Sequence, residues 1–242
     1  MSSWILGVFA PLVDLVFPRG CLACDQGLPD DNPRALCDPC QEAMKRIEGE
    51  RCPKCGEQLG PHARTDQRCM ICRDTALVFK RASAACKYEG STRQLILNLK
   101  YKRRMAALPM LSHLMIENLE GADFMGKIDV VVPVPLHWQR RLWRGFNQSE
   151  LLARRVGQHF GIPVCANRLR RIRPTASQTR MPRAERFENL KGAFHVEGKN
   201  SLAGKTVLLC DDVMTTGATA SECSRALREA GVKETYVALV AR

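Results

Sequence analysis

The stretch Val207-Leu208-Leu209-Cys210-Asp211-Asp212-Val213-Met214-Thr215-Thr216-Gly217-Ala218-Thr219 constrains this chain more than any other. An apolar run ends in two adjacent carboxylates, and a hydroxyl- and glycine-rich turn follows. Val207 to Cys210 reads as a strand buried on both faces, as in a parallel sheet. Asp211 and Asp212 then fall at the carboxyl end of that strand, where open α/β sheets place their ligands. Thr215, Thr216, Gly217 and Thr219 offer backbone N–H groups and hydroxyls at a helix start, which suits an anion. Two carboxylates beside such a turn repel bare phosphate. They need ribose hydroxyls as donors, or a divalent metal to screen their charge. The motif therefore asks for a sugar phosphate with free hydroxyls. It is not a Walker A loop, because no Gly-Lys-Ser/Thr follows a spaced glycine, and Gly217 alone makes no Gly-x-Gly-x-x-Gly turn. The plain alternative is a strand–loop–helix in which Asp and Thr act only as caps.

This stretch resembles the phosphoribosyl-pyrophosphate (PRPP) signature of type I phosphoribosyltransferases. The resemblance implies that Asp211 and Asp212 hold the ribose 2′ and 3′ hydroxyls. It also implies that the turn Thr215-Thr216-Gly217-Ala218-Thr219 binds the 5′-phosphate.

With 242 residues the chain can bury a sizeable core without cross-links. Of its 12 cysteines, 8 precede residue 73 as four Cys-x-x-Cys pairs: Cys21/Cys24, Cys37/Cys40, Cys52/Cys55 and Cys69/Cys72. The gaps of 12 residues after Cys24 and 13 after Cys55 make two similar blocks. They read as a repeated zinc-ribbon unit. Four thiolates in a closed shell suit a structural Zn²⁺ and leave no position for catalysis. One ion per block is the simple partition, and spacing leaves a cross-braced arrangement open. Disulfides fit less well, since the paired spacing recurs and no export signal is evident. An iron–sulfur cluster also fits less well. His62 lies between the last two pairs and reads as a loop residue. Cys86, Cys165, Cys210 and Cys223 stand alone and read as small buried hydrophobes.

Three regions follow from composition. Residues 1–17 are apolar, broken by Pro11 and too short to span a bilayer. They read as a helix packed on the body, with membrane-surface contact as the second reading and a cytoplasmic location expected. Residues 18–75 form the cysteine module, in which metal supplies the fold. Residues 82–242 read as an α/β domain with a mostly parallel sheet and flanking helices. Its expected strands are 82–88, 128–134, 168–171, 193–196, 206–210 and 235–241. Its expected helices run from a Ser91 or Thr92 cap to about Arg104, and over 108–119, 149–160, 183–190 and 218–230.

The formal net charge is +12, and the window from Gln139 to Arg186 holds 12 Arg, no Lys and only Glu150 and Glu185 as acids. Arginine alone favours a forked grip on phosphate. Two partners fit, the polyphosphate of PRPP and a nucleic-acid backbone, and solvated helix faces account for several of the twelve. Within this window, His137 to Gln148 interleaves aromatics with Arg. Arg140, Arg141, Trp143 and Arg144 can stack and grip single-stranded bases. Alternatively, Trp143 and Phe146 pack on the core while the arginines are solvated.

Taken together, several segments resemble the ComF/GntX family. They are the double Cys-x-x-Cys module, Tyr88-Glu89-Gly90, Leu99-Lys100-Tyr101, Val132-Pro133-Val134-Pro135-Leu136, Arg144-Gly145-Phe146-Asn147-Gln148, Arg183-Ala184-Glu185-Arg186 with Asn189, Gly192-Ala193-Phe194 and the acidic motif. The resemblance implies a zinc-ribbon module before a phosphoribosyltransferase-type domain, and a link to natural competence, the DNA-uptake machinery and use of imported DNA. The GntX label also connects members with gluconate metabolism. The turn from Val132 to Leu136, with Pro133, Val134 and Pro135, resembles the pyrophosphate loop, and Gln178 to Arg186 can be the mobile hood over the acceptor base. Two functional readings follow. In the first, a transferase binds PRPP with Mg²⁺, Lys100 and Arg144 face the pyrophosphate, and the acceptor is unidentified. In the second, a single-stranded DNA-binding protein keeps a regulatory or vestigial PRPP pocket.

Overall fold

A computed structural model describes residues 20–29, 35–60, 68–175, 181–198 and 201–242. The apolar helix expected over residues 1–17, His62, and Gln178 to Arg180 lie outside the described residues. Among the described residues no helix is long and apolar enough to cross a membrane.

The described elements run α1 (Asp38–Glu42), α2 (Met70–Arg73), β1 (Arg81–Cys86), α3 (Gly90–Lys102), α4 (Ala107–Glu120), a 3₁₀ turn (Met125–Lys127), β2 (Val130–Pro133), α5 (Trp138–Arg144), α6 (Gln148–Phe160), β3 (Leu169–Arg171), α7 (Arg183–Leu190), β4 (Phe194–Val196), β5 (Thr206–Val213), α8 (Ala218–Glu229) and β6 (Glu234–Ala241). Strands β1, β6, β5 and β2 pair in that order in one parallel sheet. Both faces of the sheet are covered, which is why Val207 to Cys210 are fully buried without alternation. The α/β architecture with flanking helices is therefore as expected.

Strand alternation splits the interior in two. Leu208 and Cys210 of β5, with Tyr236, Ala238 and Val240 of β6, pack with Leu95, Ile96 and Leu99 of α3, with α4, and with Leu152 and Val156 of α6. Val207 and Leu209, with Val237 and Leu239, pack with Cys223 and Leu227 of α8 and with β3 and β4 on the other side.

Four departures from expectation within the α/β domain bear on the site. The strand holding the acidic pair extends to Val213, because Asp211 and Val213 keep their register with Leu239 and Ala241 of β6. Strands β3 and β4 leave the parallel sheet and pair antiparallel with each other. Each alternates buried and outward residues, the pattern of a ribbon with one solvated face. Helix α5 was not foreseen. It ends at Gly145, in the left-handed region at φ 85°. Finally, neither Ser91 nor Thr92 caps α3, which starts at Gly90 with Glu89 as N-cap. A Cβ at Gly90 would lie 2.3 Å from the Ala43 carbonyl oxygen, so close approach by the cysteine module sets that start.

The cysteine module shares both interiors. Cys21, Ala23 and Leu36 join the α3 side, where Asn98 Nδ2 donates to the Leu22 carbonyl at 2.7 Å. Cys52, Cys55 and Cys72 join the α8 side with Leu77 and Phe79. The buried Arg242 guanidinium pairs with Glu57 at 2.9 Å. Residues 45–47 lie antiparallel along β1, with Ile47 N donating to Ala85 O and Lys87 N to Lys45 O.

Candidate functional site

The eight module cysteines gather as two sequential tetrads, Cys21/Cys24/Cys37/Cys40 and Cys52/Cys55/Cys69/Cys72. Within each, the sulfurs all lie within 4.8 Å of one another. Sulfurs about 2.3 Å from a tetrahedral ion would sit about 3.8 Å apart. The contacts Cys24–Cys37 at 3.7 Å and Cys55–Cys69 at 3.5 Å match that spacing. The Cys69 N–H donates to Cys52 Sγ at 3.3 Å, a bond that favours thiolate. Two structural zinc ions fit, one per block, and the cross-braced option is not what the chain adopts.

At the carboxyl edge of the sheet, a cavity of about 380 Å³ opens over Asp211 and Asp212. Its wall carries Lys100 and Tyr101 from α3, Val134 and Pro135 after β2, Arg140, Trp143 and Arg144 from α5, Gln148 and Ser149 from α6, Arg171 from β3, and Thr219. Pro133 lies just behind, paired with Cys210 in the sheet. The loop after β2 is held from two sides: Val134 N donates to Cys210 O, and Asn147 Nδ2 donates to Val134 O at 3.1 Å. Asn147 also caps α6 by accepting from Ser149 N.

The two carboxylates are treated differently. Lys100 Nζ forms an ion pair with Asp212, and Gln148 Nε2 donates to the same carboxylate at 3.3 Å. Burial opposes ionising Asp212, but Lys100 overrides it and holds the carboxyl below the usual aspartate range. Burial likewise opposes the Lys100 ammonium, and Asp212 reverses this to hold its pKa above the usual lysine value. Asp211 accepts from Ser149 Oγ at 2.7 Å. Burial and the charge of Asp212 push its carboxyl up to about 7. Asp212 is thus held ionised against Lys100, while Asp211 keeps its proton more readily than an ordinary aspartate.

The cationic wall exceeds what the acids require. Arg144 is 7% exposed, donates to Gln148 Oε1 at 2.5 Å and lies over the Tyr101 ring. Arg171 lies over Phe194 and donates to Thr175 Oγ1. Burial lowers both guanidinium pKa values. The Nε atoms of Arg144 and Arg171 are buried without an acceptor. Each guanidinium makes a neutral hydrogen bond yet leaves a buried N–H unmatched, which is costly, so this wall suits an anion.

The Thr–Gly turn sits beside this cavity, and only Thr219 lines it. Thr215 is exposed and Thr216 partly buried, while Gly217 and Ala218 are buried. Gly217 takes φ 82° as the N-cap of α8, and a Cβ there would meet Leu77 at 3.0 Å. The first-turn amides of α8 have no intrahelical acceptor. Arg186 Nη1 of α7 donates to Thr215 Oγ1 at 3.1 Å.

Of the core-packing alternative, Phe146 does pack against the α3-side interior and Arg140 and Arg141 are exposed, but Trp143 and Arg144 depart from it. Trp138, Leu142 and Trp143 are 61%, 73% and 61% exposed, and Arg144 is the buried residue. Arg141 lies outside the cavity and pairs with Glu150 at 3.5 Å. Sequence reasoning assigned no site role to Tyr101, Gln148, Ser149 or Arg171. Gln148 ends the Arg144-Gly145-Phe146-Asn147-Gln148 motif, but its role needs the fold that places α6 under Asp212. The expected lone hydrophobes Cys86, Cys210 and Cys223 are fully buried, whereas Cys165 is only partly so.

Comparison with known proteins adds relatives to this geometry. Residues 12–76 match a double zinc ribbon domain, and residues 110–242 match a phosphoribosyl transferase domain. Competence protein F of Haemophilus influenzae is 30% identical over 211 residues, covering 86% of this chain and 90% of that protein. DNA utilization protein YhgH of Escherichia coli (strain K12) is 32% identical over 206 residues, covering 84% and 88%. Competence protein ComFC of Bacillus subtilis is 28% identical over 229 residues, covering 87% and 89%.

Proposed function

The chain belongs to the ComF family, in which a double zinc ribbon precedes a phosphoribosyltransferase domain, and from that premise we propose that it binds PRPP with Mg²⁺ and serves in the handling of DNA taken up by the cell. The cavity supports this reading most directly. Its floor is two carboxylates that can accept from ribose hydroxyls, and its wall carries Arg140, Arg144 and Arg171, the last two with buried Nε atoms that lack acceptors, which suits a polyanion.

In this reading Asp211 and Asp212 hold the ribose hydroxyls, and the amides and hydroxyls from Thr215 to Thr219 take the 5′-phosphate. Lys100, Arg144 and Arg171 face the pyrophosphate, with Val134 and Pro135 shaping its loop. The donor set fits Mg²⁺, a hard cation held by carboxylate and phosphate oxygens, which would neutralise charge on the leaving group. Transfer forms a bond from an acceptor nitrogen to the anomeric carbon and breaks the bond to pyrophosphate oxygen. The chain supplies orientation and stabilises the departing anion. No general base is needed where the acceptor nitrogen is already nucleophilic.

Titration calorimetry with PRPP and Mg²⁺ tests the reading. Wild type is expected to bind, and Asp211→Asn/Asp212→Asn to lose at least about a hundredfold in affinity, from two charge-assisted acceptors. A folded, zinc-loaded wild type that takes up no PRPP would overturn the proposal.

The exposed Trp138, Leu142 and Trp143 beside Arg140 and Arg141 favour a second, compatible reading: a single-stranded DNA surface at the cavity mouth. Arg140→Ala/Arg141→Ala/Trp143→Ala is expected to weaken oligothymidylate binding. It should also reduce the slope of log affinity against log salt by about 1.4. An unchanged slope and affinity would remove α5 from DNA binding.

A further inference from the structure

The geometry assigns Arg186 as a side-chain ligand of the 5′-phosphate, an assignment that rests on the ribose-phosphate reading above. The turn that would take this phosphate is poor in positive charge. From Val213 to Thr219 it contains no Lys or Arg. The first cation along α8 is Arg225, and it is spent on Glu222 at 3.0 Å. Lys100 pairs with Asp212 and belongs to the pyrophosphate side of the cavity. Backbone amides and the half-charge of a helix N-terminus favour an anion only modestly. Meanwhile Asp211 and Asp212 stand four and three residues before Thr215 and repel one.

Arg186 supplies what the turn lacks, and it comes from outside the parallel sheet. It sits on α7, in the excursion between β3 and β4, and is aimed by a bond from Nε to the Met181 carbonyl at 2.9 Å. Its Nη1 reaches Thr215 Oγ1 at 3.1 Å. A guanidinium has five donors in a fixed fork, and these two bonds use two of them. A phosphate seated on the turn beside Thr215 meets that fork. The excursion is itself anchored at the same helix, because Gly192 N donates to Glu222 Oε1 at 2.7 Å. Arg186 therefore stands at the 5′-phosphate end of the ligand while Arg171, on β3 where the excursion begins, stands at the pyrophosphate end.

The bland role for Arg186 is a clamp between α7 and the turn, and the two roles separate by charge. The full zinc-loaded chain is titrated in Mg²⁺ with ribose 5-phosphate and, separately, with inorganic pyrophosphate. Arg186→Gln is expected to lower ribose 5-phosphate affinity by about tenfold or more, the loss of one charge-assisted bond. Its pyrophosphate affinity should stay at the wild-type value. Arg186→Lys should keep most of the affinity that Gln loses. Arg170→Gln removes the same charge from the outward face of β3, where Arg170 pairs with Glu197 at 3.1 Å, and should bind both probes as wild type does. Equal losses for both probes, an Arg186→Lys affinity no better than that of Arg186→Gln, or wild-type affinity in Arg186→Gln would each overturn the assignment. If the folded wild type binds pyrophosphate but no ribose 5-phosphate, the ribose-phosphate reading itself falls, and the assignment with it.

Discussion

Stripping metal from this chain is expected to lower its melting midpoint by about 10 °C or more and to disturb the domain as well as the cysteine module. Structural zinc contributes about 10–16 kcal/mol of apparent free energy in isolated zinc-finger peptides, so losing either ion is a large change. Here the loss reaches further than the ribbons, because their sulfurs are core residues. Cys52, Cys55 and Cys72 pack with Leu77 and Phe79, and Leu77 lies against Gly217 of the Thr–Gly turn. Val78 N donates to Ser221 Oγ on α8. Cys21 packs with Leu95 and Leu99 on α3, the helix that carries Lys100. Metal analysis of freshly purified protein should find about two zinc ions per chain. Chelation followed by thermal melting should then show the drop. A metal-free chain with an unchanged midpoint would contradict the view that zinc holds both halves of the interior.

The second large effect separates two neighbouring carboxylates. Asp212→Ala leaves the Lys100 ammonium buried without its partner, and should destabilise the chain by about 3–5 kcal/mol. Asp211→Asn should act in the opposite direction at alkaline pH. The folded-state pKa of Asp211, pushed up to about 7, lies above the ordinary 3.8. Between those values the folded chain binds a proton that the unfolded chain has released. The contribution of Asp211 to stability is therefore full below about pH 4 and falls as pH rises through 7. An amide at position 211 removes this loss, so Asp211→Asn should be more stable than wild type at pH 8, and the advantage should shrink towards pH 5. Urea unfolding at both pH values reads the difference. Equal destabilisation by the two variants at every pH would refute the unequal roles given to this pair. In the ribose-phosphate reading, the strain at Asp211 is the cost of keeping an acceptor ready for ligand.

The parts of the fold that were legible in the sequence are those whose burial is one-valued. Val207 to Cys210 could be read as a central strand because every side chain in the run is buried. The paired cysteines announced themselves by spacing, although only the fold decides how eight sulfurs divide between two ions. Helix α5 was hidden because it inverts the usual pattern, burying Arg144 while exposing Trp138, Leu142 and Trp143. No apolar periodicity marks such a helix. Arg171 was one of twelve arginines in a window, and nothing local distinguishes it from Arg170. The alternation of β3 turns one towards the cavity and the other towards Glu197, and that alternation becomes visible only when β4 pairs with it. The Lys100–Asp212 pair spans more than a hundred residues, beyond any local signal.

The backbone pairing of residues 45–47 along β1 has a consequence for solubility. Strand β1 is at one margin of the sheet, and its sequence Arg-Ala-Ser-Ala-Ala-Cys has a single charge, at its first residue. Left bare, such a margin would template association with another chain. The opposite margin, β2, is met by residues 163–165, with Cys165 N donating to Val131 O. The metal-binding module thus doubles as a sheath that keeps one copy of this sheet from growing into the next.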